Sequence, residues 1–179
     1  MDSVLAVPVP EADPVVRDIR ARLDSSAALG VPAHVTVLYP FLPPQAIDDT
    51  VLRRLAELFA QTDSFSYEFV ETRWFGEDVL WLAPADDTGF RGLTHVVQDS
   101  YPDYPPYKAA FAEVTPHLTI GHGHELAMLE IAARQVSDRL PIRGQARAVH
   151  LLVEQADGLY QQRAIFSLRR AASSDHPEL

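Results

Sequence analysis

The chain has 179 residues, 47% of them hydrophobic and 22% charged, the proportions of a globular protein long enough to bury a core. Fifteen basic against twenty-five acidic side chains leave a net charge of −10, which argues against a protein that grips long duplex nucleic acid through its phosphates. With no cysteine, there are no disulfides, thiolate metal sites or cysteine nucleophiles, and the acidic start and short apolar runs fit neither a signal peptide nor a membrane span, so a cytoplasmic location is expected.

Val4–Val9 reads as a strand, followed by a helix entered through Asp13-Pro14 as cap and first residue, with Val15, Val16, Ile19 and Leu23 at helical spacing. Gly30 and Pro32 punctuate the chain before a second strand at His34–Tyr39, and Ile47, Val51, Leu55, Leu58 and Phe59 mark the next helix. Phe65–Phe69 alternates as a half-buried strand. A second series follows: a strand at Val79–Leu82, a helix capped at Asp87 or Thr88, a Pro/Tyr-rich loop from Tyr101 to Tyr107, a strand at His117–Ile120, and a helix from Leu126 to Leu140. Strands near Ala148–Val153 and Ala164–Leu168, joined by a turn at Asp157-Gly158, close the chain before a polar tail at 173–179.

Set side by side, the two halves repeat one order: strand, helix, strand with His-x-Thr, helix, strand. His34 leads to His117, and Phe65 to Ala148, by the same offset. Seven histidines and eight threonines would produce roughly 0.3 His-x-Thr matches by chance, and two are present, as His34-Val-Thr36-Val and His117-Leu-Thr119-Ile. The two-residue period of a strand places His34 with Thr36, and His117 with Thr119, on one face, opposite the apolar residues between them. A single such motif is most simply a core strand. A matched pair at equivalent places can face two imidazoles across one cleft, where one loses and the other gains a proton while the threonine hydroxyls hold a phosphate.

These paired motifs, about eighty residues apart in a duplicated chain of this size, resemble the 2H phosphoesterase superfamily. The segment His34-Val-Thr-Val-Leu-Tyr-Pro-Phe41 is similar to its bacterial 2′-5′ RNA ligase-like branch. The resemblance implies an α+β fold of two lobes, roughly 1–76 and 77–172, related by a pseudo-two-fold with possible strand exchange, with antiparallel sheets around a central groove and helices outside. It implies chemistry on 2′,3′-cyclic phosphates or 2′-5′ linkages that needs no metal or cofactor, with His34 and His117 as the catalytic pair and Thr36 and Thr119 binding phosphate. Opening of the cyclic phosphate toward a 2′-phosphate is the implied direction. The expected partner is a small nucleotide or an RNA end, the expected state a monomer.

Further contacts are drawn from Tyr107 and Lys108, the single lysine, in the loop before the second motif, and from Trp74 with Phe75 as faces for a base. Seven arginines between positions 131 and 170 read as solvated edges, with an electropositive groove wall as the alternative. Two rival functions stand beside the phosphoesterase. One is a non-catalytic binder of nucleotides or RNA ends. The other is a metal-dependent hydrolase built on His117, His122, His124 and Glu125, which crowd together in sequence but lack the helical spacing of a metalloprotease and leave His34 unexplained.

Overall fold

A computed structural model describes residues 1–109 and 114–170. The first apolar run forms strand β1 (Ser3–Pro8), buried on both faces: Leu5 and Val7 enter the main core, while Val4 and Ala6 join a smaller cluster with Val31 and Leu152. A 3-10 turn at Pro10–Ala12 leads into α1 (Asp13–Leu23), which buries Val16, Ile19 and Leu23. Asp13 is the first helical residue and Ala12 the cap, a correction of one position: the preceding turn starts the winding early, and the Asp13 carboxylate accepts from Arg17 Nη2 at 3.0 Å instead. A four-residue helix, α2 (Ser25–Ala28), precedes β2 (His34–Leu38).

Helix α3 (Asp49–Ala60) begins where Asp48 Oδ1 accepts the Val51 amide at 2.9 Å, which satisfies one of the free donors of the first turn. The remaining elements are β3 (Phe65–Phe75), β4 (Val79–Pro84), α4 (Thr88–Ser100), β5 (Leu118–His122), α5 (Leu126–Ser137), β6 (Ile142–Ala146), β7 (Ala148–Glu154) and β8 (Tyr160–Ser167). Beyond end shifts of up to three residues, as where α5 stops at Ser137 rather than Leu140, three differ from expectation. β3 runs on to Phe75, β6 is new, and β8 starts at Tyr160 rather than Ala164. Arg-Gly-Gln in β6 and Tyr-Gln-Gln-Arg in β8 belong to edge strands, and the far end of β3 pairs only with β4; all are largely exposed, so they lack the apolar pattern that marks a central strand. The tail expected from Ser173 lies outside the described residues.

The strands form two antiparallel four-stranded sheets, ordered β2-β1-β7-β8 and β5-β4-β3-β6. The orders match under exchange of β1 with β4, β2 with β5, β7 with β3 and β8 with β6, which is a pseudo-two-fold. The repeat read in the sequence has its counterpart here: β3 and β7, the strands that begin at Phe65 and Ala148, hold equivalent places in opposite sheets. The helices cross over in the same way, α1 packing on β5 and α4 on β2. The Thr94 hydroxyl of α4 donates to the Val37 carbonyl of β2 at 2.9 Å and is buried there. One large core joins the helices to the inner faces of both sheets. No helix among the described residues is long and apolar enough to cross a membrane.

The crossing of α1 over β5 depends on Gly121. A Cβ there would stand 2.8 Å from Leu23 Cβ and 3.1 Å from the Leu23 carbonyl oxygen, and the backbone atom cannot rotate away. Gly121→Ala is expected to destabilise the protein by about 1–3 kcal/mol, read as a lower urea midpoint at unchanged m-value.

Candidate active site

The two motif strands approach one another where the sheets meet. On β2, Val35 and Val37 are buried in the main core, as are Leu118 and Ile120 on β5. The alternation that sinks these four side chains turns His34, Thr36, His117 and Thr119 to the other face, where all four line one groove of about 460 Å³. The pairing registers correspond: Thr36 lies opposite Ala6 of β1, and Thr119 opposite Trp81 of β4.

Each imidazole is held in the same way. His34 Nδ1 donates to the Pro32 carbonyl at 2.8 Å, and His117 Nδ1 to the Thr115 carbonyl at 2.7 Å, two residues upstream in both cases. A carbonyl can only accept, so Nδ1 carries the hydrogen, and in the neutral ring Nε2 keeps its lone pair. Burial pushes His34 down from the ordinary 6.5 to about 4; the bond to Pro32 works against this, Arg20 adds to it, Asp24 opposes it, and His117 lowers it further. Burial also lowers His117, against the bond to Thr115. Two neutral imidazoles therefore share the groove near neutral pH.

Their surroundings differ. His117 stands at the edge of Phe75, 5.0 Å between centroids, and of Trp81 at 5.6 Å, while Phe75 and Trp81 stack at 4.7 Å. Phe75 is 39% exposed and Trp81 buried. His34 is backed by a buried ion pair, in which Asp24 Oδ2 accepts Nε and Nη2 of Arg20 at 3.0 and 2.8 Å. Asp24 Oδ1 accepts the Ser26 amide and hydroxyl, at 3.0 and 2.8 Å. From β5, His122 reaches toward this turn, its Nδ1 3.7 Å from Asp24 Oδ1 and its Nε2 3.4 Å from Ser25 Oγ.

Of the other sequence candidates, Tyr107 lines the groove; burial raises its hydroxyl pKa, partly offset by a hydrogen bond with Thr36. Lys108 is exposed on the adjoining loop and is not part of the lining. Trp74 faces the other way and packs against the main core, because on β3 it alternates with Phe75, the aromatic that stands beside His117. His117, His122, His124 and Glu125 do not converge: among the described residues no three His, Asp or Glu side chains could hold a metal ion. The sequence reading did not identify Tyr39, Tyr160, Asp24 or Leu29 as groove residues. Tyr39 follows the first motif and was within reach of such a reading; Tyr160 arrives from β8 and carries no local signal.

A family model described as the 2′-5′ RNA ligase superfamily matches residues 8–158. Among solved structures, TT0787 of Thermus thermophilus is 16% identical, with a TM-score of 0.58 over 96% of this chain and 100% of that one. E. coli LigT complexed with NADP+ is also 16% identical, at 0.58 over 94% and 97%. A structure described as a phosphoesterase is 15% identical, at 0.60 over 94% and 98%. At these identities the likeness is one of fold. No curated protein matches the chain.

Two measurements check the electrostatics of the pair. Long-range 1H–15N NMR at pH 7 is expected to find both rings neutral and protonated on Nδ1. Because the folded protein holds His34 below its unfolded value, the unfolded chain binds the extra proton between about pH 6.5 and 4, and stability falls as pH drops through that window. His34→Gln should flatten this part of the stability profile in chemical denaturation.

Proposed function

This chain belongs to the 2′-5′ RNA ligase superfamily, metal-independent 2H phosphoesterases of nucleotide and RNA termini, and on that footing we propose that it hydrolyses 2′,3′-cyclic phosphates with His34 and His117 as an acid–base pair. The observation that carries this reading is the matched tethering of the two rings: each gives its Nδ1 hydrogen to a backbone carbonyl, which leaves each Nε2 free to exchange a proton. One neutral imidazole takes a proton from water as the water oxygen bonds to phosphorus. The bond from phosphorus to one ribose oxygen breaks, and the other imidazole, protonated, delivers its Nε2 proton to that oxygen. The sum is addition of one water, giving a phosphomonoester and a free ribose hydroxyl; one proton exchanged with solvent resets the pair. Run backwards with a ribose hydroxyl in place of water, the same roles form a 2′-5′ linkage.

Thr36 and Thr119 stand one step along the same strand faces, where their hydroxyls donate to the non-bridging oxygens as charge gathers there. The contact of Tyr107 with Thr36 sets the orientation of that donor. Phe75, partly exposed beside His117, stacks on a base, a contact that tolerates any base because every base has a π-face.

With 2′,3′-cyclic AMP in EDTA, the wild type is expected to turn over to a single adenosine monophosphate regioisomer, resolved by chromatography. His34→Ala and His117→Ala should each lose about 10²–10⁴ in kcat, the usual worth of a general acid or base. Thr36→Val and Thr119→Val should lose about 10²–10³, as for removal of one donor to a developing anion. Turnover that survives the loss of either histidine would sink the mechanism; retained binding without turnover would make the protein a binder. Since both imidazoles are lowered in the free protein, the acid limb runs out early as pH rises, and the maximum of kcat/KM is expected below pH 6.5.

A further inference from the structure

The walls of the groove are made of apolar and hydroxyl side chains, among them Leu29, Val31, Val79, Tyr39 and Tyr160. Among the described residues its charge-bearing members are His34, His117, His122 and Asp24, and Asp24 is already held by Arg20. None of the seven late arginines lines the groove, and three are engaged elsewhere: Arg143 pairs with Glu68, Arg169 with Asp63, and Arg163 donates to the Ile47 carbonyl.

The end of the groove at Tyr39 and Tyr160 is backed by two carboxylates that are not themselves lining residues. There the Tyr39 hydroxyl donates to Asp2 Oδ2 at 2.9 Å, and the Asp2 amide donates to Glu154 Oε2 at 2.7 Å. Both carboxylates lie close enough to Tyr160 to oppose its ionisation. The N-terminal amine, 3.7 Å from Glu154, answers one of these two charges. A phosphate held at the centre between the histidines and threonines meets hydroxyl donors. A second phosphate displaced from that centre meets Leu29, Val31 and Val79, or the Tyr39 and Tyr160 hydroxyls backed by carboxylates, and no Lys or Arg of the lining, in a chain whose net charge is −10; Lys108 stays outside the lining on the adjoining loop.

We propose that this groove is built for a substrate with a single phosphate and selects against one that carries a second. This rests on the cyclic phosphodiesterase reading and narrows its substrate class to nucleoside cyclic phosphates, or uncharged esters of like shape, that bear no further phosphate. The selection is electrostatic and falls with ionic strength, since charges at a solvent-open groove are screened within about 10 Å at 0.1 M salt.

The test compares 2′,3′-cyclic AMP with its 5′-phosphorylated form. The expected kcat/KM is at least tenfold lower for the 5′-phosphorylated form at low salt, with the ratio narrowing at least threefold when salt is raised. Leu29, 40% exposed on the wall, accepts a charge without burying it. Leu29→Lys is expected to narrow the ratio at low salt, and Asp2→Asn, behind Tyr39 and Tyr160, to do the same. Equal or better turnover of the 5′-phosphorylated form overturns the proposal, as does a preference that neither salt nor these substitutions alter, which would mean exclusion by shape. If neither compound is turned over, the phosphodiesterase reading fails by itself. Calorimetric binding of adenosine 2′-monophosphate against adenosine 2′,5′-bisphosphate then decides the charge selection: weaker bisphosphate binding upholds it, and tighter or equal binding overturns it.

Discussion

Val35, Val37, Leu118 and Ile120 anchor the two motif strands in one core, and the placement of His34, Thr36, His117 and Thr119 in the groove depends on that burial. A strand cannot turn one of its side chains over without shifting its whole register, so sinking the apolar set commits the histidines and threonines to the opposite face. The helices enforce the choice from below, each crossing to the sheet of the other half: α1 on β5, α4 on β2. This exchange ties the halves into one core and brings the two motif strands to the same place. Four apolar residues of the core therefore locate the two histidines and two threonines that the motif strands bring to the groove.

The same packing sets the chemistry of the imidazoles. Partial burial makes both rings harder to charge, and the hydrogen each gives to a carbonyl two residues upstream determines which nitrogen stays open. The arrangement is repeated but not duplicated. One ring is backed by the Arg20–Asp24 ion pair, the other boxed by Phe75 and Trp81. A pseudo-two-fold scaffold thus presents two unlike environments, as a reaction needs when one group must give a proton and the other take one.

Much of the fold was legible because its central elements have a clean period. The alternation in His34–Leu38 and at Leu118–Ile120, and the helical spacing of Val16, Ile19 and Leu23, reflect burial on one face, and that burial is present. The misses have a common cause. β6, the first half of β8 and the far end of β3 are largely exposed, with Ile142, Ala146 and Trp74 their contacts with the core, too few for a clear period. Asp13 was displaced from the cap because a 3-10 turn had already begun the helix, a matter of local geometry that residue type does not reveal.

Short-range periodicity is enough to tell which residues share a strand face, that the chain repeats one order of elements, and that two His-x-Thr motifs occupy equivalent places. It could not tell that Trp74 belongs to the core while Phe75 stands beside His117, that Tyr160 joins Tyr39 at the groove, or that His122 reaches toward Asp24 and Ser25 rather than its neighbour His124; the folded chain settles these. They are contacts between segments far apart in the chain. They depend on strand twist, bulges and helix crossings, which are fixed by packing of the whole and have no signature in any local stretch of residues.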